Sequence, residues 1–380
     1  MLSILSAMQV AILLIDFLAL PTLGSQSPPV ISTNGTVNTT VFYKRGVMRS
    51  ELYEEFSKSW WVHHEVEREY DRLKSYGVEV VRVMLNKHDW FMNYTIADID
   101  GNRRDYHTVV DDIVRWCTDR GMYVILEHGV SVWGETPETA AQGIYLDPHN
   151  WFIDWMTNEI AARYANNPYV IMGLVNEPAN RDAGIYNTED ARRDRWWQIA
   201  KEAVESYRAV KPNGYIIVQS IGFRPYKNWS RAYGRAPLPF PNIIYGWHDF
   251  YHWDLGSIVG KPYAPAPYAE AYWNGDFVTA KQKMEQWYYD TAIKLQDEEH
   301  VPVFFDEFGA WVPDNNWDIW LRDFYVISRK YSVGWTQLWW HGYWTADQGT
   351  PSRPYIDYHL LQNDWQTLSP IGEVWAAEMK

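Results

Sequence analysis

The sequence predicts an α/β fold, a single-domain (β/α)8 barrel of the TIM type. Three observations predict it. Short apolar runs alternate with helical patterns eight times along the chain. Most of the runs are apolar throughout, as expected of parallel strands covered on both faces. No Gly-x-Gly-x-x-Gly follows the first run, so an open dinucleotide-binding sheet has no support. At 380 residues the chain exceeds the roughly 250 typical of such a barrel, a surplus that long loops would absorb.

The expected strands are Tyr43–Met48, Val78–Leu85, Tyr123–His128, Val170–Asn176, Tyr215–Ser220, Ile243–His248, Val303–Phe308 and Trp335–Trp340. Helical spacing predicts helices over Val62–Tyr76 and Tyr106–Arg120, each followed by a glycine suited to a C-cap. Further helices are expected over Asn150–Ala165, Glu189–Val210, Phe277–Glu298, Trp317–Tyr331 and Trp365–Met379. The fifth crossover is the least legible, because Phe223–Pro241 is rich in Pro, Gly and Arg.

The N-terminal run LSILSAMQVAILLIDFLAL is followed by Pro21 and small residues, the pattern of a secretory signal peptide over 1–24. Asp16 would make a stable membrane span costly, which favours cleavage over anchoring and predicts an extracellular protein. Sequons at Asn34, Asn38, Asn93 and Asn228 are compatible with export. Residues 25–40 read as a flexible leader, and 41–380 as the barrel domain.

The formal charge of −14 argues against nucleic acid or an anionic membrane as the main partner. The 23 Trp and 27 Tyr raise the prior for a carbohydrate ligand, because flat sugar faces stack on indole rings. Alternatively, many of these rings simply fill space between barrel and helices. The lone Cys117 excludes an internal disulfide and a thiolate metal cluster, and reads as core.

Catalytic residues of such barrels lie at the C-terminal ends of strands. The fourth apolar run ends in Asn176-Glu177-Pro178, and the seventh in Asp306-Glu307-Phe308-Gly309. Two glutamates at two strand tips suit glycoside hydrolysis, in which one carboxyl donates a proton and the other attacks as an anion. Val-Asn-Glu-Pro on the fourth strand with Glu-Phe-Gly on the seventh resembles glycoside hydrolase family 5, and the resemblance covers about residues 41–375.

That resemblance implies a retaining β-glycosidase with Glu177 as acid/base and Glu307 as nucleophile. It implies Arg82 beneath the nucleophile, where a fixed cation would hold Glu307 ionised. It implies His128 as a substrate-site histidine and Asn176 as the contact to the sugar 2-hydroxyl. The sixth strand departs from the family's His-x-Tyr. Two residues after His248 stands Phe250, and Tyr251 is three after. Either Tyr251 takes the role through a bulge or the tyrosine's hydrogen bond to the nucleophile is missing; His248 with Tyr251 is favoured as the substrate-site pair, with His252 an outside candidate. On the eighth strand the family places a tryptophan as the floor of the cleft. Trp339 is favoured over Trp340, since neighbours on a strand face opposite ways. Alternation also sends Asp306 away from Glu307, and Glu127 away from His128, into structural pairings. Trp90, Trp133, Trp253, Trp273, Trp311 and Trp344 are candidates for outer subsites.

The leading expectation is a monomeric endo-β-1,4-glucanase (a cellulase) acting on a polysaccharide such as cellulose, with no metal or other cofactor. Mannanase, β-1,3-glucanase, xyloglucanase and exo-glucosidase activities remain open within the family. A non-catalytic carbohydrate-binding barrel would have lost one of the two glutamates. A metal-dependent hydrolase wants His-x-His on the first strand, which Tyr43–Ser50 lacks.

Overall fold

A computed structural model describes residues 41–52, 63–129, 137–178, 188–220, 237–251, 268–310, 316–340, 359–362 and 364–380. The expected signal peptide and leader, and Trp133, Trp253, Trp311, Trp344 and His252, lie outside them.

Eight parallel strands close into a barrel in sequence order. They are β1 (Arg45–Leu52), β2 (Val80–Leu85), β3 (Tyr123–His128), β4 (Val170–Val175), β5 (Ile216–Gln219), β6 (Ile243–Tyr251), β7 (Val303–Ala310) and β8 (Gly334–Gln337). β8 closes on β1 through the pairs Arg45–Trp335 and Val47–Gln337. All eight expected strands are present, and the structure confirms the (β/α)8 barrel.

Alternation along the strands sorts side chains into an inner and an outer set. The lowest inner layer is apolar: Val80, Tyr123, Ile125, Ile171, Ile217, Ile244 and Phe304, capped from below by Phe42. Phe42 meets Tyr123 and Phe304 edge-on, at centroid distances of 5.6 and 5.4 Å. Above it the inner positions turn polar, with Arg82, Glu127, Gln219, Asp306 and Thr336 all buried. The outer set, including Val81, Val124, Met172, Val218, Tyr245 and Phe305, packs under the helices in one large core.

Helices begin where a short polar side chain can accept from a free backbone N–H. Asp105 caps Tyr106–Asp119, Thr188 caps Glu189–Val210, and Asp276 caps Phe277–Tyr288. Gly77 and Gly121 follow their helices at φ +91° and +64°, the left-handed conformation that a glycine tolerates best. Two expected helices are less regular. Asn150–Ala165 contains π-helical segments at His149–Ile153 and Met156–Ala161. Phe277–Glu298 is interrupted by another at Tyr289–Ile293. The last helix starts at Pro370 rather than Trp365, because Ser369 supplies the cap and Pro370 suits the first turn. Trp90 is 3% exposed, wedged against His107 and Trp155, so it is core rather than a sugar platform. Among the described residues no helix is long and apolar enough to cross a membrane.

Three strands carry one extra residue near the C-terminal mouth. Between paired positions, β1 advances two residues against one in β2. β4 advances two against one in β3. β7 advances three against two in both β6 and β8. Such bulges re-aim the side chains that follow them.

Candidate active site

The bulge in β7 turns two successive acids inward. Phe305 and Phe308 both lie in the outer core, while Asp306 and Glu307 between them both reach inner partners. The expectation that Asp306 points away is therefore corrected; plain alternation ignores the added residue. The bulge in β4 does the same for Asn176, after Leu174 and Val175 have both faced outward.

Arg82 is the hub of the cluster. Its guanidinium is fully buried and donates to Glu307 Oε2 at 2.6 Å, to Glu127 Oε2 at 2.8 Å through Nε, and to Asn176 Oδ1 at 2.6 Å. Burial opposes its charge, but the Glu127 and Glu307 carboxylates outweigh that and raise its pKa. Its charge therefore does not titrate.

His248, projecting inward from β6, holds the other glutamate. Nδ1 lies 2.9 Å from Glu177 Oε1, and Nε2 lies 3.6 Å from Asp306 and 3.9 Å from Glu307. Burial alone would lower the His248 pKa. The carboxylates of Glu307 and Asp306 reverse this and hold it well above its ordinary value. The shift favours the protonated ring, and Nδ1 and the Glu177 carboxyl share one hydrogen bond.

Glu127 and His128 exchange their expected positions. Glu127 faces inward onto Arg82, and burial, reinforced by Asp306 and opposed by Arg82, raises its pKa to about 7. His128 continues the outward parity of Val124 and Leu126. It packs at 4.5 Å from the Trp151 ring and 5.1 Å from the Trp155 ring, where burial lowers its pKa to about 3. Two glycines make room for the buried acids. A Cβ on Gly173 would meet the Glu127 side chain at 2.7 Å, and one on Gly246 would meet Asp306 Oδ2 at 2.9 Å.

At the upper rim, Met48, Met84, Leu338 and Trp339 form a small apolar ring with Phe250 against it. The Met48 sulfur accepts from both Arg82 Nη1, at 3.5 Å, and Trp339 Nε1, at 3.1 Å. Trp340 instead faces the helices, packing on Tyr76 and Trp375. On β6 the inward parity falls on Phe250, and the Tyr251 side chain lies outside the described residues. The structure thus brings Arg82, Asn176, Glu177, His248 and Glu307 together, with Trp339 one sulfur away from Arg82. Gln219 was not singled out from sequence, although a polar residue closing the apolar run Ile216-Ile-Val was a signal for it.

Glu177, His248 and Glu307 could offer three ligand atoms within 4.8 Å of one another, a set a divalent cation would accept. Arg82 already pairs with Glu307, and the His248 ring already bonds Glu177 through Nδ1.

Fold and site together define a (β/α)8-barrel protein with paired carboxylates at its C-terminal mouth. Residues 47–343 match the family model for cellulase (glycosyl hydrolase family 5), and the chain belongs to that family. It is 22% identical over 298 residues to endoglucanase G of Acetivibrio thermocellus, covering 68% of this chain and 50% of that protein. It is 31% identical over 118 residues to the major extracellular endoglucanase of Xanthomonas campestris pv. campestris, covering 31% of this chain and 23% of that one. The chain thus spans half or less of the length of these curated relatives. A β-glucanase structure from Saccharophagus degradans covers 89% of this chain and 88% of its own, with 17% identity and a TM-score of 0.57. The Thermotoga maritima endoglucanase Cel5A covers 83% and 90%, with 15% identity and a TM-score of 0.54. At these identities the structural likeness speaks for the fold.

Proposed function

We propose that the chain is a retaining endo-β-1,4-glucanase in which Glu307 is the nucleophile and Glu177 the acid/base. The observation that carries this is the spacing of the two glutamates. An oxygen of each lies within 4.8 Å of the other. That nearest-oxygen bound is by nature shorter than the separation of whole carboxyl groups, about 5–5.5 Å in retaining enzymes and about 6.5–9.5 Å in inverting ones, and so close an approach supports the retaining arrangement.

In the first step Glu307 attacks the anomeric carbon, the glycosidic C–O bond breaks, and Glu177 gives its proton to the departing oxygen. In the second, Glu177 takes a proton from water, the water oxygen bonds to the same carbon, and the ester to Glu307 breaks. Arg82, which donates to Glu307 Oε2 at 2.6 Å, aligns the nucleophile at the start and stabilises it again as the leaving carboxylate. His248 donates to Glu177 Oε1, leaving the other oxygen to carry the proton. Asn176, oriented by Arg82 through its Oδ1, keeps its NH2 group for the sugar.

The glucan substrate is supported by the two curated relatives, both named endoglucanases. Export is supported by the printed name of one of them and by the apolar run at residues 2–20. The Thermotoga enzyme has been solved with mannotriose, so mannan belongs in the assay.

The test is proton NMR of the first products from carboxymethylcellulose and galactomannan, with Glu307→Gln and Glu177→Gln as controls. Initial β-anomer from the glucan, abolished in the Glu307 variant, supports the reading. Initial α-anomer would overturn retention, and release of single sugars would overturn the endo mode.

A further inference from the structure

Gln219 closes β5 and is 3% exposed. Its side-chain amide makes three hydrogen bonds, all within the polar layer. Oε1 accepts from the backbone N–H of Glu177 at 2.7 Å. Nε2 donates to Glu127 Oε1 at 2.8 Å and to Asp306 Oδ2 at 2.5 Å. The orientation of the amide is fixed by chemistry, since only its oxygen can meet an N–H. Trp196 Nε1 donates to the Gln219 backbone carbonyl at 2.9 Å, pinning the strand end.

The Glu177 end of this contact is unusual. Glu177 has φ +47°, a left-handed conformation uncommon for a residue with a Cβ. It stands just past the end of β4, and its N–H finds its acceptor in the Gln219 side chain. That side chain therefore fixes the backbone from which the Glu177 carboxyl springs.

We propose that Gln219 is a positioning residue for the acid/base. It holds the Glu177 backbone in its left-handed turn and braces that hold against two buried acids, Glu127 and Asp306. An apolar residue of similar size would leave the Glu177 N–H without its acceptor and both acids without a shared donor. The proposal rests on the assignment of Glu177 as acid/base. It follows that Gln219 matters most when the leaving group needs a proton. A misplaced acid slows cleavage of an ordinary glucoside, while dinitrophenolate departs without help.

The experiment compares kcat/KM of Gln219→Leu on cello-oligosaccharides and on 2,4-dinitrophenyl β-cellobioside, with melting temperatures to confirm folding. The expected result is a loss on the order of 100-fold on the oligosaccharide, against a change of about threefold or less on the activated glycoside. Equal losses on both, or none on either, would overturn the proposal. Glu177→Gln is run alongside. If it discriminates between the substrates and Gln219→Leu does not, only this inference falls. If Glu177→Gln itself shows no discrimination, the acid/base assignment fails and takes this inference with it.

Should Gln219→Leu not fold, the near-isosteric Gln219→Glu carries the test. Protonated, the new carboxyl still accepts from the Glu177 N–H and donates to one acid. Ionised, it faces Glu127 and Asp306, with the Arg82 guanidinium beyond Glu127 and the His248 ring on the adjacent β6. The ratio of activated to ordinary kcat/KM should match wild type near pH 5 and exceed it by about tenfold or more at pH 8. A ratio that tracks wild type at every pH would overturn the proposal.

Discussion

Arg82 Nη1 and Glu307 Oε2 lie 2.6 Å apart, and the same guanidinium also reaches Glu127 and Asn176. A planar fork serves three acceptors where a single ammonium cannot. Arg82→Lys should therefore lose stability by about 3–5 kcal/mol, the usual range for breaking a buried pair. Activity should fall on the order of 100-fold, since the carboxylate loses its alignment. Urea unfolding and kcat measure the two losses; a variant within about 1 kcal/mol of wild type would show the fork to be dispensable.

Gly173 leaves the space that the Glu127 side chain fills. Gly173→Ala drives a methyl into backbone-anchored atoms at 2.7 Å, so Glu127 must leave Arg82 or the strands must part. Overpacking of this kind typically destabilises by about 1–3 kcal/mol. The variant should melt lower and lose activity together, whereas Gly101→Ala, at an open turn, should leave activity untouched.

Acid lability should trace to buried histidines. Burial lowers the pKa of His128 and His359 to about 3 and, with help from Arg49, that of His64 to about 4. A depressed pKa gives stability that is complete above the unfolded value of about 6.5 and drains away as pH falls toward the folded value. Among the described residues neither His128 ring nitrogen has a hydrogen-bond partner, and His128→Phe keeps a flat ring against Trp151 and Trp155. Its melting temperature should fall less than wild type between pH 6.5 and 4.

Glu127 gives the opposite slope. Its pKa is raised to about 7, so its contribution is complete below the unfolded value near 4.5 and is lost as pH rises through 7. Glu127→Gln lowers the baseline by disturbing Arg82, but it should flatten the decline in melting temperature between pH 4.5 and 7.5. An unchanged slope would place the titrating proton elsewhere in the cluster.

Trp339 and Trp340 are neighbours in sequence with different surroundings. Trp340→Ala removes a ring packed on Tyr76 and Trp375 and should cost about 3–5 kcal/mol with KM unmoved. Trp339→Ala should instead raise KM on the glucan and disturb stability less. Equal effects on KM would remove Trp339 from the cleft floor.

The barrel was legible in sequence because parallel strands covered on both faces are written as unbroken apolar runs, and Glu177 and Glu307 because each stops such a run. The helices that closed on Gly77 and Gly121 were legible for the same local reason. What was not legible depended on chain geometry between strands. A bulge has no residue signature of its own, so the inward turn of Asp306 was missed. Glu127 and His128 were read in the wrong order because nothing local reveals which strand face meets Arg82. Gln219 was passed over because its importance lies in three distant partners, two on other strands and one just past the end of β4.

The additional residue in β7 has an evolutionary and engineering corollary. Side-chain direction in a strand repeats every second residue, so deleting one residue there would restore simple alternation. One of the two acids would then swing into the helical layer, with no change in the identity of any remaining side chain. The number of negative charges at the mouth of this barrel is thus encoded partly in a length, and a comparison that scores substitutions but tolerates single-residue gaps would not see it change.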